Sequence, residues 1–222
     1  MAEGDLARFV DHWTIEFVRT YPHPIERVWR AITDPAEVSI WFIPPTVWEP
    51  STGGAYRFHD DGFSGVVQAV EPPRLIRFGP HPDGAAWPGA DSYFQFELES
   101  TPGGTRLRYL QHAAPDVKDP DEPRRPFVSP GRPGSVAGWH AAFDELDELL
   151  DGVPINSRLP PTRLTEIFEN WAGFSMSAEF TAEQKARVLE GLCVRERWFD
   201  LKDLYTEHVR AIRPPATSIG ET

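Results

Sequence analysis

The sequence predicts an α+β fold in which a curved antiparallel sheet wraps around one long helix, and three features carry that expectation. Between Thr46 and His112 six short segments of strand character follow one another with only turn residues between them. Strands in succession on short connections form an antiparallel meander rather than a parallel sheet. A further strand and two short helices precede this run, and a single long amphipathic helix, Ser135 to Leu150, follows it.

Each element has a local reason. From His12 to Tyr21 the residues alternate, with Trp13, Ile15 and Phe17 on one side and Thr14 and Glu16 on the other, the pattern of a half-buried strand. Pro22 and Pro24 end it, and Pro24 suits the first turn of a helix carrying Ile25, Val28, Trp29 and Ile32 at helical spacing. Thr33-Asp34-Pro35 breaks that helix and starts a short second one through Ser39. The meander strands are expected at Thr46–Glu49, Ala55–Asp60, Phe63–Val70, Leu75–Phe78, Ser92–Glu99 and Thr105–His112. Asp61-Gly62, Pro72-Pro73 and Gly103-Gly104 supply the turns, and His81 to Ala90 is a longer hairpin loop. In the long helix Trp139, Phe143, Leu146 and Leu150 form one stripe, with Asp144, Glu145, Asp147 and Glu148 gathered on the other side. Gly152 and Pro154 close it.

The chain has 222 residues and a formal net charge of −12. That acidity argues against nucleic-acid partners and anionic membrane surfaces, which call for clustered Lys and Arg. Cys193 is the single cysteine, so no internal disulfide or cysteine-based metal cluster is expected. A lone thiol fits a buried residue in a reducing cytoplasm. No apolar run approaches the roughly 20 residues of a membrane span, and Met1 to Asp11 does not read as a secretory signal. The histidines at 12, 23, 59, 81, 112, 140 and 208 show no metal-ligand spacing. The sequence also lacks a nucleophile elbow, a phosphate loop and a dinucleotide fingerprint, so neither metal nor cofactor is predicted. His59, Asp60 and Asp61 sit together at a hairpin tip, where a solvated turn accounts for them.

Several short motifs fall in a familiar order: Val28-Trp29-Arg30-Ala31-Ile32-Thr33-Asp34-Pro35, Trp41-Phe42, Gly53-Gly54 and Gly65-Val66-Val67. Glu71-Pro72-Pro73-Arg74-Leu75, Gly104-Thr105-Arg106-Leu107 and Gly138-Trp139 complete the series. In this order they resemble the SRPBCC, or START-like (birch-pollen-allergen-like), superfamily. Within it the chain is most similar to the heat-shock-protein-90 ATPase activator homologue family, common in bacteria. The resemblance covers residues 12–152 and implies a helix-grip fold with an internal cavity between sheet and helix. It does not imply one activity, because that superfamily holds lipid and hormone binders, co-chaperone domains and polyketide aromatase/cyclases. Residues 155–212 read as an additional helical extension, with helices at Arg163–Trp171, Thr181–Leu192 and Val194–Ile212, and residues 213–222 as a disordered tail.

Strand parity names the candidate site. Phe94, Phe96 and Leu98 share one face, as do Leu107, Tyr109 and Gln111 on the last strand; Phe58 and Phe78 are their counterparts. With Trp41, Trp139 and Phe143 they either line an aromatic pocket for a small apolar or aromatic ligand or fill the core completely. Tyr109 and Gln111 are the inward polar groups, and their partners are either ligand atoms or other protein groups. Arg19 points inward with Phe17 if the alternation from Trp13 holds, and could then clamp a carboxylate; otherwise it reaches out at the sheet edge.

The leading expectation is a binder of a small apolar or aromatic molecule, with catalysis open. An aromatase/cyclase or other lyase using the same cavity, and a co-chaperone-like interaction domain, are the alternatives. Trp171, Phe174, Phe180, Trp198, Phe199 and Tyr205 must be buried somewhere. The C-terminal helices therefore either fold back on the same subunit or join two copies in a homodimer.

Overall fold

A computed structural model of the protein describes residues 6–11, 13–58, 64–81, 91–112, 133–155, 159–175 and 183. The strands are β1 (Arg8–Asp11), β2 (Thr14–Tyr21), β3 (Pro45–Trp48), β4 (Ala55–Phe58), β5 (Ser64–Glu71), β6 (Leu75–Pro80), β7 (Tyr93–Thr101) and β8 (Gly104–His112). The helices are α1 (Ile25–Thr33), α2 (Pro35–Trp41), α3 (Pro133–Asp151) and α4 (Pro161–Ser175). All strand pairs are antiparallel, in the order β1-β2-β8-β7-β6-β5-β4-β3. The meander is therefore broken once, where β2 pairs with β8 and brings the first long strand to the far edge of the run. This is the α+β helix-grip fold expected from the sequence.

The predicted strand from His12 is the second arm of a hairpin. Asp11 accepts a hydrogen bond from the Trp13 backbone N–H (2.7 Å), turning the chain so that β1 adds an edge strand that alternation alone did not reveal. Asp34 caps α2 by accepting from the Ala36 N–H at 2.9 Å, with Pro35 in the first turn. Glu37 of α2 then holds both Arg27 and Arg30 of α1, fixing the two short helices to each other. α2 runs two residues past its predicted end and carries Trp41 within it.

Register sorts the side chains. Phe17, Tyr109, Phe96 and Ile76 stand opposite one another across β2, β8, β7 and β6. Ile15, Gln111, Phe94, Phe78 and Val67 form the adjacent row. These rows are buried, and Phe17, Phe96, Tyr109 and Gln111 among them meet α3 through Trp139, His140 and Phe143. The opposite face is polar, with an ion ladder running Arg8–Glu16–Arg108–Glu97. Burial pushes the Glu16 carboxyl up, but the Arg8 and Arg108 guanidiniums outweigh that and hold it below its ordinary value.

Two glycines are demanded by geometry. Gly152 follows α3 at φ +70°, and the Val153 N–H returns to the Glu148 carbonyl at 3.0 Å, closing the helix. Gly104 enters β8 at φ +134°, and a Cβ there would lie 2.1 Å from the Tyr21 carbonyl oxygen. Gly104→Ala is thus expected to cost at least 1–3 kcal/mol, roughly the strain of the backbone conformation alone. Urea unfolding checks this; an unchanged midpoint would contradict the register of β2 on β8.

The C-terminal side partly answers where its aromatics go. α4 packs on α3 and buries Ile167, Phe168 and Trp171 completely within the same subunit. Asn170 donates to the Ala7 carbonyl at 2.8 Å, tying α4 to the start of β1. The predicted helices Thr181–Leu192 and Val194–Ile212, the tail, Cys193, the hairpin tip at His59 and the side chain of Phe174 lie outside the described residues, and with them the homodimer contact expected there. Among the described residues no helix is long and apolar enough to cross a membrane.

Candidate functional site

The residues predicted to line the interior are all buried, none more than 7% exposed. They arrive from seven elements, with Arg19 on β2. Tyr109 and Gln111 come from β8, Phe94 and Phe96 from β7, Phe78 from β6, Phe58 from β4, Trp139 and Phe143 from α3, and Trp41 from the end of α2. Tyr109 sits at the centre. Its ring lies 4.2 Å from Trp139, 5.0 Å from Phe96, 5.5 Å from Phe143 and 6.1 Å from Phe17, centroid to centroid. Phe42 stacks on the far side of Trp139 at 4.9 Å, and Phe78 stacks on Phe94 at 4.5 Å. The offset and edge-to-face arrangements are those aromatic quadrupoles favour.

Phe17, Phe42, Trp48 and Tyr56 belong to this cluster and were not among the predicted lining residues. Phe17 and Tyr56 were within reach of the parity argument, since each is two residues from a residue assigned to the inner face. Phe42 and Trp48 lie beside a helix end and on a strand with a bulge, where alternation gives no direction.

Polar groups within this wall are few. The Trp41 indole N–H donates to the Ala31 carbonyl (2.9 Å) and the Trp48 indole to that of Thr33 (2.7 Å), so both rings are fixed by α1. The Tyr56 hydroxyl donates to the Gly79 carbonyl at 3.1 Å. The Trp139 indole donates to Gln111 Oε1 at 2.9 Å. The Tyr109 hydroxyl, by contrast, is wholly buried with no hydrogen-bond partner among the described residues. Burial, with a smaller contribution from Tyr56, pushes its pKa well above the usual value, so it remains an O–H donor.

Beside the aromatic wall runs a polar seam that the sequence did not disclose. His140, Asp144, Asp147 and Asp151 recur at helical spacing along α3 and meet β2 and the residues after it. Arg19 faces inward, as the alternation from Trp13 requires. Its Nη2 lies 3.7 Å from Asp144 Oδ1 and 3.4 Å from His140 Nδ1, and the guanidinium carbon is 5.9 Å from the centre of the Phe143 ring. His23 pairs with Asp151 at 3.0 Å. The acidic residues expected on the solvent side of α3 are therefore divided, with Asp144 and Asp147 turned toward β2.

Electrostatics of the seam follow from burial. His140 is driven down to about 2 by burial and by the Arg19 and Arg163 charges, so its imidazole is neutral. A neutral ring has one accepting nitrogen, and both the Ala7 N–H (3.3 Å to Nε2) and Arg19 approach it, so the two contacts compete. Burial raises Asp147 to about 6, opposed by Arg19 and reinforced by Asp144. The Tyr21 hydroxyl is buried in the same seam and is pushed well up by burial and by Asp147. Among the described residues no group of His, Cys, Asp and Glu is placed to hold a metal ion.

Comparison with known proteins agrees with this architecture. The crystal structure of CalU16 from Micromonospora echinospora superposes with a TM-score of 0.54 at 22% identity, covering 77% of this chain and 95% of CalU16. The solution structure of CalU16 gives 0.53 at 22%, covering 79% and 97%. A conserved protein of unknown function from Enterococcus faecalis gives 0.54 at 17%, covering 76% and 91%. These are likenesses of fold. A search of curated proteins gave no match. The family model described as Activator of Hsp90 ATPase homolog 1-like protein matches residues 22–151, from the residue after β2 through the last residue of α3. On that match, together with the helix-grip sheet, the chain belongs to the Activator of Hsp90 ATPase homolog 1-like family.

Proposed function

We propose that this protein binds a small apolar or aromatic molecule between the inner face of its sheet and α3. The observation that carries the reading is the Tyr109 hydroxyl. A core serving only to hold the fold together would gain by placing phenylalanine there, because an unsatisfied buried polar group costs about 1–3 kcal/mol. A ligand oxygen would satisfy it. The surrounding rings supply the apolar contact that small-molecule sites use, with few polar groups to orient what enters. Residues Arg19, Trp41, Phe58, Phe78, Phe94, Phe96, Tyr109, Gln111, Trp139 and Phe143 are proposed to frame this site, with Arg19 at its edge, where its guanidinium faces α3.

A melting-temperature screen against a library of neutral aromatic and aliphatic compounds tests the proposal. A ligand present at about a hundred times its Kd stabilises by about 2.7 kcal/mol, a rise of several degrees. A flat response across apolar compounds, with hits confined to charged ones or none at all, would count decisively against it.

A further inference from the structure

Two polar side chains, Gln111 and Tyr109, stand together at the centre of the aromatic wall. Gln111 Oε1 is occupied by the Trp139 indole N–H. That bond also fixes which way the amide faces, with the NH2 donor on its other arm. The Tyr109 hydroxyl, two residues away on the same face of β8, has no partner among the described residues, and its O–H is a donor that an incoming acceptor would satisfy. At the strand rise their two Cα atoms stand about 7 Å apart. Among the described residues at this centre none carries a positive charge. The nearest inward cation on the neighbouring strand, Arg19, has its guanidinium turned to Asp144 and His140 on α3.

From this unmet Tyr109 O–H we infer that the ligand is a neutral, flat aromatic molecule whose acceptor oxygen, a carbonyl, ether or phenol oxygen, is held by Tyr109 with the Gln111 amide beside it. The inference rests on the binding role proposed above and narrows it. A hydrocarbon would leave the Tyr109 donor unsatisfied. A carboxylate or sulfonate would be buried without a counter-charge, which is far more costly than burying a neutral oxygen. A flat ring system is favoured because the groups around the hydroxyl-bearing ring, Trp139, Phe143 and Phe96, are themselves rings, which prefer aromatic partners.

Three tricyclic probes of nearly equal size separate the possibilities: fluorene, 9-fluorenone and fluorene-9-carboxylate, each titrated calorimetrically into the full chain. Fluorenone is expected to bind about tenfold more tightly than fluorene, the worth of one hydrogen bond to a neutral acceptor in a dry site, and the carboxylate more weakly than either. In Tyr109→Phe the preference for fluorenone over fluorene is expected to vanish while fluorene binding is kept. The unliganded variant also reports on itself. Removing an unsatisfied hydroxyl is expected to hold or raise Tm by about 2–4 °C, whereas a marked fall would show that the hydroxyl already has a protein partner and would overturn the inference. Equal binding of fluorene and fluorenone, or tighter binding of the carboxylate, overturns the ligand class but leaves the binding role standing. No binding of any probe, alongside a flat melting screen, overturns both.

Discussion

Phe143→Ala is expected to destabilise the protein by about 3–5 kcal/mol, the cost of removing a fully buried ring from a close-packed site. For a chain of this size that corresponds to a fall in Tm of about 10 °C. The ring is completely buried and touches Phe17 from β2, Tyr109 from β8, Trp41 from α2 and its own helix neighbour Trp139. It is thus the point at which α3 is held by three separate elements, and no neighbour can relax into the space without leaving its own contacts. Phe143→Leu, which keeps most of the volume, should cost less than half as much. Urea denaturation at neutral pH decides the matter. A loss below about 1 kcal/mol for the alanine variant would mean that this part of α3 does not pack on the sheet as described.

The second large effect is expected at Arg19, and it carries a pH signature. Arg19→Met keeps the apolar stem but removes the one strand cation facing Asp144 and Asp147 of α3. At pH 8 the loss should be about 2 kcal/mol, since Asp147 would lose the cation that opposes its burial while Asp144, partly exposed, would keep only Arg163. The sign with pH follows from Asp147, whose folded value of about 6 lies above its ordinary 3.8. In that interval the folded protein binds the proton and the unfolded chain does not, so stability falls as pH rises from about 4 to 6 and levels off above. Removing Arg19 strips away the charge that opposes this rise, so the variant's deficit should widen between pH 5 and pH 8. The groups facing Asp147 are Arg19 and Tyr21 from β2 and Asp144, Glu148 and Asp151 on α3. Asp147→Asn in the wild-type background should flatten the slope and add about 1 kcal/mol above pH 6, a figure discounted for the partial exposure of the carboxyl. In the double variant it should recover part of the Arg19 loss. Unfolding midpoints at pH 5, 6 and 8 test all three proteins, and an Arg19→Met deficit that shrinks with rising pH would refute the account.

The strands and their facing were legible because a sheet with one buried face writes a period of two into the sequence, and Phe94, Phe96, Tyr109 and Gln111 are where that period placed them. The long helix was legible for the same kind of reason through Trp139 and Phe143. The seam was not. His140, Asp144 and Asp147 look like solvent-facing residues when hydropathy is the only guide, and it is Arg19 of β2, with Arg163 of α4, that offsets the burial of the two carboxylates. A helix periodicity reports which residues are apolar, not which polar residues have found a buried partner. β1 escaped for a different reason: an edge strand of four residues, mostly exposed, has no inner face to betray it.

The pairing of β2 with β8 also sets a timetable during synthesis. Phe17 of β2 waits for Tyr109, and Ala7 waits for Asn170, 163 residues later. At roughly 5–20 residues per second a ribosome takes on the order of ten to thirty seconds to deliver that last partner. Until β8 follows, 92 residues after Phe17, the first hairpin stands with an unpaired edge and a row of apolar side chains, Ile15 and Phe17 among them, which makes it the natural client segment for whatever shelters nascent chains.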